Sequence, residues 1–410
     1  MIFHFAVDKR RCLKFIVLSI FFCVLFLTQY VNAQETLSGN ELYAKSAVLM
    51  DAKTGRVLYE KNGYERLPMA STTKIMTCII ALENADPETI VTASAYAASM
   101  PKVHLGMREG EQFYLKDLLY SLMLESHNDT AVAVAEGVSG DLDSFLKLMN
   151  DKALELGCTD TRFLTPNGLD KAVTDEDGNV TVHSTTAADL ARIMSYCINE
   201  SAKSQEFLDV TRTMSHTFTD VSGKYTYSCN NLNAFLSMME GALSGKTGFT
   251  NDAGYCYVGA LRKDDKDLVV ALLACGWPNN KSYKWSDTKK LMKYGLENYS
   301  NQILTLPEED MYFDVADGAY DIESEQIAGL TAKAEIPRHE ALLSETDTVR
   351  YEYEKETGLS APVRTGDTIG NVRCYINDEL FCEGEIKAVE SVEKKSMKWA
   401  INEVLDLIIM

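Results

Sequence analysis

The chain has 410 residues, of which 46% are hydrophobic and 24% charged, a composition that is ordinary for a globular protein of two or three domains. Its 60 acidic side chains outnumber its 40 basic ones, and the formal net charge at pH 7 is −20. Because so acidic a chain is repelled by a phosphate backbone, the charge argues against a nucleic-acid-binding protein. It suits a protein that stays soluble outside the cytoplasm.

The N-terminus, residues 1–33, has the pattern of a secretory signal peptide. A basic segment from Lys9 to Lys14 precedes the apolar run FIVLSIFFCVLFL, and VNA ends in a small residue at Ala33. The apolar run is shorter than the roughly 20 residues that a membrane-spanning helix needs. The sequence therefore predicts export with cleavage after Ala33, rather than an uncleaved membrane anchor.

The cysteines give little indication of a metal site or of a disulfide scaffold. Cys12 and Cys23 fall in the predicted signal peptide, and the others are scattered without a C-x-x-C pair. Cys374 and Cys382 lie on neighbouring predicted strands and could form a disulfide, but the strand register that would decide this is open.

Residues 34–300 are predicted to form an α/β (α+β) domain in which helices lie between strands at the two ends, so that the terminal segments share one antiparallel sheet. SAVLMDAKTGRVLYEKN, from Ser46, indicates two strands around a turn. After Pro68, ASTTKIMTCIIALE indicates a helix beginning at Ser71 whose apolar residues occupy both faces, as in a buried helix. Burial of Lys74 in such a helix is costly without a partner, which argues against a simple solvated lysine.

Further helices and a closing hairpin follow in chain order. LKDLLYSLMLESHNDTAVAVAEGVSG indicates two helices with a break at ESHND, and DLDSFLKLMNDKALELG indicates an amphipathic helix. HSTTAADLARIMSYCI begins with a capping signature, Thr186 followed by Asp189. GYCYVGALR and LVVALLAC flank the charged turn KDDKD as a hairpin, and WSDTKKLMKYGLENY indicates a closing helix.

The last part of the chain has a different character. Residues 301–390 alternate polar and apolar positions in short runs, which predicts a small all-β domain. Residues 391–410 place Met397, Ile401, Val404, Leu405 and Ile408 on one helical face and the lysines elsewhere. This pattern predicts an amphipathic helix at a membrane surface, although a helix packed on the β domain is the alternative.

Three short motifs carry the chemistry. In ASTTKIMT, Ser71 and Lys74 are i and i+3 on one helical face. A serine hydroxyl is a weak nucleophile that needs an adjacent base. A lysine can be that base only when burial or a second cation lowers its pKa.

The second motif, Ser126-His127-Asn128, lies in the predicted helix break, where a hydroxyl could relay a proton and an amide could hold a substrate carbonyl. The third, Lys246-Thr247-Gly248, offers a cation and a hydroxyl on a strand where glycine permits close approach. The surrounding GALSGKTG is not a phosphate-binding loop, because only three residues separate Gly241 from Gly245 where that pattern needs four.

The order S-x-x-K, S-x-N, K-T-G is the motif set of β-lactamases and penicillin-binding proteins. With MASTTKIMT, LMLESHNDTAVAVAE, TPNGLD and GKTGFTNDAGYCYVGA around it, the chain closely resembles the low-molecular-weight penicillin-binding proteins, the serine-type D-alanyl-D-alanine carboxypeptidases of peptidase family S11. The resemblance runs from about Ser46 to Gly295 and more weakly through the terminal domain and helix. It implies a serine β-lactamase/DD-peptidase-like fold and no cofactor or metal.

The resemblance also implies roles for residues. Ser71 would be the acylated nucleophile, Lys74 its general base, Ser126 a proton relay and Asn128 a substrate-positioning group. The predicted substrate-binding residues are Lys246, Thr247, Gly248 and Lys284. Lys246 would also lower the pKa of Lys74. Lys284 occupies a loosely aligned place where relatives often carry an arginine that binds the terminal carboxylate. A separate acid/base role for His127, which replaces a frequent glycine, is not expected.

The implied activity is removal of the terminal D-alanine from peptidoglycan pentapeptides that end in D-Ala-D-Ala, with β-lactams as covalent inhibitors. The implied location is the outer face of the cytoplasmic membrane of a bacterium. Two alternatives stay open. A β-lactamase would need a group that activates the deacylating water, but TPNGLD contains no glutamate. A non-enzymatic penicillin-binding sensor or wall-binding scaffold would not need intact motifs.

Overall fold

The helices and strands below come from a computed structural model that describes residues 37–307, 310–319, 328–338 and 340–409. The predicted signal peptide and its cleavage position lie outside the described residues, so they stay predictions.

The first of two five-stranded sheets among the described residues joins the two ends of the first part of the chain. Its strands are β1 (Ser46–Asp51), β2 (Val57–Lys61), β9 (Ala242–Thr250), β10 (Gly254–Lys263) and β11 (Lys266–Leu273). Neighbouring strands are antiparallel, in the order β2-β1-β11-β10-β9. Because β1 pairs with β11, strands from the two ends share one sheet, and β9 is left as an edge strand.

Helices fill the chain between β2 and β9. They are α1 (Lys74–Asn84), α2 (Ala95–Ala98), α3 (Leu115–Leu124), α4 (Asn128–Ser139), α5 (Leu142–Glu155), α6 (Ala187–Ser195) and α7 (Ser204–Arg212). A π-helical turn, Tyr196–Glu200, extends α6. Short antiparallel strand pairs lie between or after these helices: β3 (Ile90–Thr92) with β4 (Gln112–Tyr114), β5 (Ala172–Thr174) with β6 (Val180–Val182), and, after α7, β7 (Ser215–Thr219) with β8 (Thr226–Asn230).

The sheet is covered on both faces because its side chains alternate. Val48 and Met50 of β1 belong to the main hydrophobic cluster, which also contains the apolar residues of α1, α4 and α6. Leu49 points the other way, and a Cβ on Gly295 of α8 (Tyr283–Asn298) would lie 2.9 Å from its Cδ2. The near-continuous apolar run of β11 follows from burial on both faces.

A second five-stranded sheet follows, in the order β13-β14-β18-β17-β16. Its strands are β13 (Met311–Asp314), β14 (Gly329–Glu335), β16 (Val349–Lys355), β17 (Thr368–Ile376) and β18 (Glu379–Ala388); β12 (Ser300–Ile303) pairs separately with β15 (Glu340–Leu343). Two small apolar clusters lie within this part. The predicted fold class, a helical cluster on an antiparallel sheet followed by a β-rich part, is confirmed. The domain limits assigned from the sequence stay predictions.

Side-chain contacts join the β1–β2 turn to the second part. Arg56, just before β2, forms a largely buried ion pair with Asp347 at 2.9 Å, and its guanidinium also donates to the carbonyl of Leu342. Arg338 donates to the carbonyl of Thr54 at 2.6 Å. Both arginines therefore connect the turn to the chain around β15.

Cys374 and Cys382 are directly opposite each other on β17 and β18, and both are buried free thiols. The predicted strand neighbourhood is therefore present, but the structure holds the two cysteines as free thiols rather than as a disulfide.

The chain ends in helix α9 (Met397–Ile409). Met397, Ile401, Val404 and Leu405 are exposed, by 81%, 54%, 53% and 49%. The side chain of Ile408, assigned to the same face from the sequence, lies outside the described residues. Among the described residues, no helix has the length and apolarity to cross a membrane.

Candidate active site

Ser71 lies in a 3₁₀ turn, Ala70–Thr73, that leads directly into α1. The sequence placed the start of the helix at Ser71, but α1 begins at Lys74. Ala70 has φ +48°, outside the right-handed helical region, so regular helix cannot extend back through it, and residues 71–73 adopt the tighter 3₁₀ turn before α1. The hydroxyls of Thr72 and Thr73 donate back to the carbonyls of Met69 and Ala70, at 2.6 and 2.8 Å, which stabilises the tight turn.

Two glycines leave room for this turn. A Cβ on Gly168 would lie 2.0 Å from the carbonyl oxygen of Ala70, and Gly168 itself has φ +86°. A Cβ on Gly248 would lie 2.9 Å from the backbone nitrogen of Ser71. The Ser71 backbone is therefore packed between the backbones of the TPNG segment and of β9.

Lys74 is fully buried, and its Nζ contacts three oxygen atoms. It donates to Ser71 Oγ at 3.0 Å, to Asn128 Oδ1 at 3.0 Å and to the carbonyl of Asn167 at 2.5 Å. Burial first, and then the positive charge of Lys246, lower the pKa of Lys74 well below its ordinary value, although the carboxylate of Asp129 acts in the opposite direction. A neutral amine beside a serine hydroxyl is what a general base requires.

Ser126 and Asn128 lie where α3 ends and α4 begins. Ser126 has φ +70°, so the chain turns sharply between the two helices. Asn128 begins α4, and its Nδ2 donates to the carbonyl of Pro101 at 3.1 Å while its Oδ1 accepts from Lys74. His127 is buried, with Nδ1 2.8 Å from Ser121 Oγ and Nε2 3.3 Å from Glu125.

Lys246 comes from the edge strand β9 and is 2% exposed. Its Nζ donates to Ser126 Oγ at 2.8 Å and to the carbonyl of Thr247 at 2.9 Å. Burial lowers the pKa of Lys246 to about 7. Lys246 and Lys74 thus come from different elements, β9 and α1, and each is bonded to a different serine.

An open cavity of about 620 Å³ lies in front of these groups. Ser71, Ser126, Asn128, Thr247, Gly248 and Lys284 all line it. Lys284 Nζ donates to the carbonyl of Lys281 at 2.6 Å and lies 4.7 Å from the ring centre of Tyr255 and 4.8 Å from that of Trp285. Burial lowers the pKa of Lys284.

The structure brings every sequence-predicted site residue to this one cavity, apart from Lys74 and Lys246, which lie buried behind Ser71 and Ser126. The sequence reasoning missed the carbonyl of Asn167. This carbonyl oxygen is the nearest of the three oxygen atoms that Lys74 contacts, and it also lies 3.5 Å from Ser71 Oγ. A backbone carbonyl cannot be predicted from residue types. The TPNGLD segment that contains it is, however, one of the stretches on which the family resemblance rests.

His183 was missed as a support for the nucleophile turn. Its Nδ1 accepts from the N–H of Leu164 at 3.0 Å, so the neutral ring carries its proton on Nε2 and donates to Thr73 Oγ1 at 2.8 Å. Burial, with smaller effects from Lys74 and Lys171, lowers the pKa of His183 to about 4. The sequence signal that could have pointed to His183 is the HSTTAADLA motif, of which it is the first residue.

The fold and the site define a class of protein, the serine acyl-transfer enzymes, and in this chain the group beside the serine hydroxyl is a buried lysine rather than a histidine. A sequence model of peptidase family S11, described as D-alanyl-D-alanine carboxypeptidase, matches residues 31–275. The chain belongs to this family.

Individual relatives and solved structures support the same family assignment. D-alanyl-D-alanine carboxypeptidase DacF of Bacillus subtilis (strain 168) is 30% identical over 361 residues, which are 86% of each chain. The solved DacD carboxypeptidase of Francisella tularensis covers 90% of this chain and 100% of its own, with a TM-score of 0.65 at 25% identity. Penicillin binding protein 5 from Haemophilus influenzae has the same TM-score at 22% identity, covers 88% of this chain and 100% of its own, and shows the fold alone.

Proposed function

We propose that Ser71 is the nucleophile of a serine-type D-alanyl-D-alanine carboxypeptidase and that Lys74 is its general base. The observation that carries the assignment is the 3.0 Å contact between Lys74 Nζ and Ser71 Oγ inside a buried site that lowers the pKa of the amine. Lys74 takes the proton as Ser71 Oγ attacks the carbonyl carbon of the penultimate D-alanine. The C–N bond then breaks, the leaving D-alanine receives a proton, and water hydrolyses the ester.

Ser126 is the proposed donor of the leaving-group proton. Its Oγ accepts from Lys246 Nζ, so it faces the cavity with its own hydroxyl proton available. Lys246 and Lys74 can replenish that proton. Asn128 holds Lys74 through Oδ1 and lines the cavity, where it would position the substrate.

Thr247, Gly248 and the free edge of β9 are proposed to bind the peptide. A free strand edge offers backbone groups to an extended peptide. The N–H of Ser71 and one N–H of β9 would form the oxyanion hole, because Gly248 lets the two backbones approach closely. Lys246 and Lys284 supply positive charge for the terminal carboxylate.

The β-lactamase alternative requires a group that activates water at the acyl-enzyme. The carboxylate of the TPNGLD segment is Asp170, and its Oδ1 accepts from Thr250 Oγ1 at 3.0 Å. Asp170 is not among the groups that contact Lys74, whose Nζ donates to Ser71, Asn128 and Asn167. A penicillin also keeps its leaving group tethered after acylation, so we expect the penicilloyl-enzyme to persist.

The test compares D-alanine release from a diacyl-D-Ala-D-Ala peptide with penicillin turnover on one preparation. Repeated release of D-alanine with stoichiometric trapping by penicillin is expected. A trapped lifetime of ~10 minutes corresponds to a deacylation barrier of roughly 21 kcal/mol, against roughly 16 for ~10 turnovers per second. Ser71→Ala should abolish labelling. Rapid penicillin hydrolysis without D-alanine release would contradict the assignment. Labelling by penicillin without any release of D-alanine from the peptide would favour a penicillin-binding sensor.

We further propose that the enzyme acts outside the cytoplasmic membrane, on peptidoglycan, and is attached by α9. The exposed apolar residues of α9 and the signal-peptide pattern support this location. The proposed layout is a signal peptide to Ala33, a catalytic domain at 34–300, a β-rich domain at 301–390 and a membrane-associating helix at 391–410. Analysis of cell-wall muropeptides after incubation with the mature protein would identify the peptide that is cleaved.

A further inference from the structure

A cluster of metal-ligating side chains adjoins the candidate active site. Glu125, His127 and Cys229 each offer one ligand atom, and these atoms lie within 4.8 Å of one another. Cys229 belongs to β8, far from the other two in the sequence, so the cysteine spacing did not reveal it. Glu125 lines the substrate cavity, while His127 and Cys229 are buried beneath it. An ion could therefore reach the cluster from the cavity.

The donor set is that of a borderline-soft divalent ion. Imidazole nitrogen, thiolate sulfur and carboxylate oxygen are the ligands that Zn²⁺ binds tetrahedrally, often with three protein ligands and one open position. Hard cations such as Mg²⁺ and Ca²⁺ prefer oxygen alone. With one carboxylate and one thiolate, the protein ligands would balance the charge of the ion.

The ligands already have outer partners that hold them. His127 Nδ1 lies 2.8 Å from Ser121 Oγ, which leaves Nε2 directed at Glu125, 3.3 Å away. The N–H of Asn230, next to Cys229, donates to Glu125 Oε1 at 2.8 Å and so joins β8 to the end of α3. Such outer contacts fix ring orientation and ligand direction in metal sites.

We propose that Glu125, His127 and Cys229 form a Zn²⁺ site whose occupation inhibits acyl transfer at the neighbouring serine. The inhibitory half of this inference rests on the proposed function; the binding half does not. The Cys229 thiol releases its proton to solvent as the sulfur–metal bond forms, and no electron is transferred.

We expect inhibition because Ser126 lies between two of the ligands, Glu125 and His127, in the sequence. Tetrahedral Zn²⁺ brings its ligand atoms to about 3.3–3.5 Å from one another. Drawing atoms together from separations of up to 4.8 Å shifts the chain on both sides of Ser126, whose Oγ is held at 2.8 Å by Lys246. A misplacement of about 1 Å can lower a catalysed rate ~10²-fold.

The test of binding is spectroscopic and uses Co²⁺ as the probe on the full mature chain. A cobalt–thiolate charge-transfer band should appear with one equivalent of ion and disappear when Zn²⁺ displaces it. Cys229→Ser should lose the band, whereas Cys158→Ser, which removes another buried thiol, should retain it. His127→Gln should weaken binding at least ~10-fold, which serves as a second variant if Cys229→Ser folds poorly.

Activity is measured on the same samples. Zn²⁺ should slow D-alanine release at least ~10-fold in wild type and in Cys158→Ser, reversibly with a chelator, but not in Cys229→Ser. Absence of the band in wild type, or its persistence in Cys229→Ser, would overturn the site. A band without inhibition of an active enzyme would overturn the coupling to Ser126. If the protein shows the band but releases no D-alanine even without Zn²⁺, the proposed function is contradicted and the metal site is not.

Discussion

Lys246 Nζ donates to Ser126 Oγ at 2.8 Å, and this hydrogen bond joins the edge strand β9 to the turn between α3 and α4. The same ammonium is a charge that lowers the pKa of Lys74. One residue of the sheet therefore influences both serines of the site: Ser126 by direct contact, and Ser71 through Lys74, its proposed base.

This arrangement predicts a shifted pH profile in Lys246→Gln. The rate of acylation by a labelled penicillin should rise with pH as Lys74 loses its proton, and fall again as Lys246, with a pKa of about 7, loses its charge. Without the Lys246 charge the pKa of Lys74 rises, so the rising limb should move to higher pH and the falling limb should vanish. Lys246→Arg keeps the charge and should keep the rising limb in place. A rising limb that stays unmoved in Lys246→Gln would show that Lys246 does not tune the base.

Gly168→Ala should disable the nucleophile through its backbone. The new Cβ would lie 2.0 Å from the carbonyl of Ala70, so the turn that carries Ser71 must shift. We expect acylation to slow at least ~10²-fold, as for a misplaced reacting group. Penicillin labelling rates measure this directly.

Gly178→Ala is the matched control for that change. Gly178 has φ +85°, close to the +86° of Gly168, but nothing lies within 4 Å of its Cβ position. Both variants bear the strain of a left-handed alanine, roughly 1 kcal/mol. Only Gly168→Ala should lose acylation; equal loss in both would mean that backbone strain, rather than contact with Ala70, is responsible.

Acid should destabilise the protein through His183. Its folded-state pKa of about 4 is below the ordinary 6.5, so between these values the unfolded chain binds more protons and stability falls as the pH falls. The full shift corresponds to about 3 kcal/mol, present above pH 6.5 and lost towards pH 4.

His183→Gln provides the comparison, because an amide can accept from Leu164 and donate to Thr73 without titrating. The difference in free energy of unfolding between wild type and variant, measured by denaturant at several pH values, should change in favour of the variant as the pH falls through this window. A constant difference would contradict the assignment of acid sensitivity to His183.

Part of the site and of the fold could be predicted from the sequence. The i, i+3 spacing placed Ser71 and Lys74 together, and the all-round apolar helix indicated that Lys74 is buried. The strand patterns of β1, β10 and β11 indicated a shared sheet. The carbonyl of Asn167 and the close approach of Gly168 were not predicted, because both depend on backbone positions that only the folded chain brings together. The proximity of Cys229 to His127 was not predicted either, because the two residues are far apart in the sequence and no motif spacing links them.

Attachment through α9 is tested by point changes rather than by deletion from residue 391, because Val392 is buried in the second sheet's core and pairs with Val363. Ile401→Asp with Leu405→Asp places charge on the exposed apolar face, so binding to vesicles with anionic lipids should fall at least ~10-fold. Asn402→Asp adds charge elsewhere on the helix and should have a much smaller effect. Cosedimentation measures both, and unchanged binding in the double variant would exclude α9 as the anchor.

The ion pair of Arg56 with Asp347 has a consequence for how the protein unfolds. The pair is nearly closed to solvent, with side chains 12% and 5% exposed, so its attraction is weakly screened, and separating the β1–β2 turn from the second part would break it together with the hydrogen bond from Arg56 to the carbonyl of Leu342. Partial opening is thus disfavoured, and heat should melt both sheets in one cooperative calorimetric transition, whereas Arg56→Met should let the β-rich part melt first.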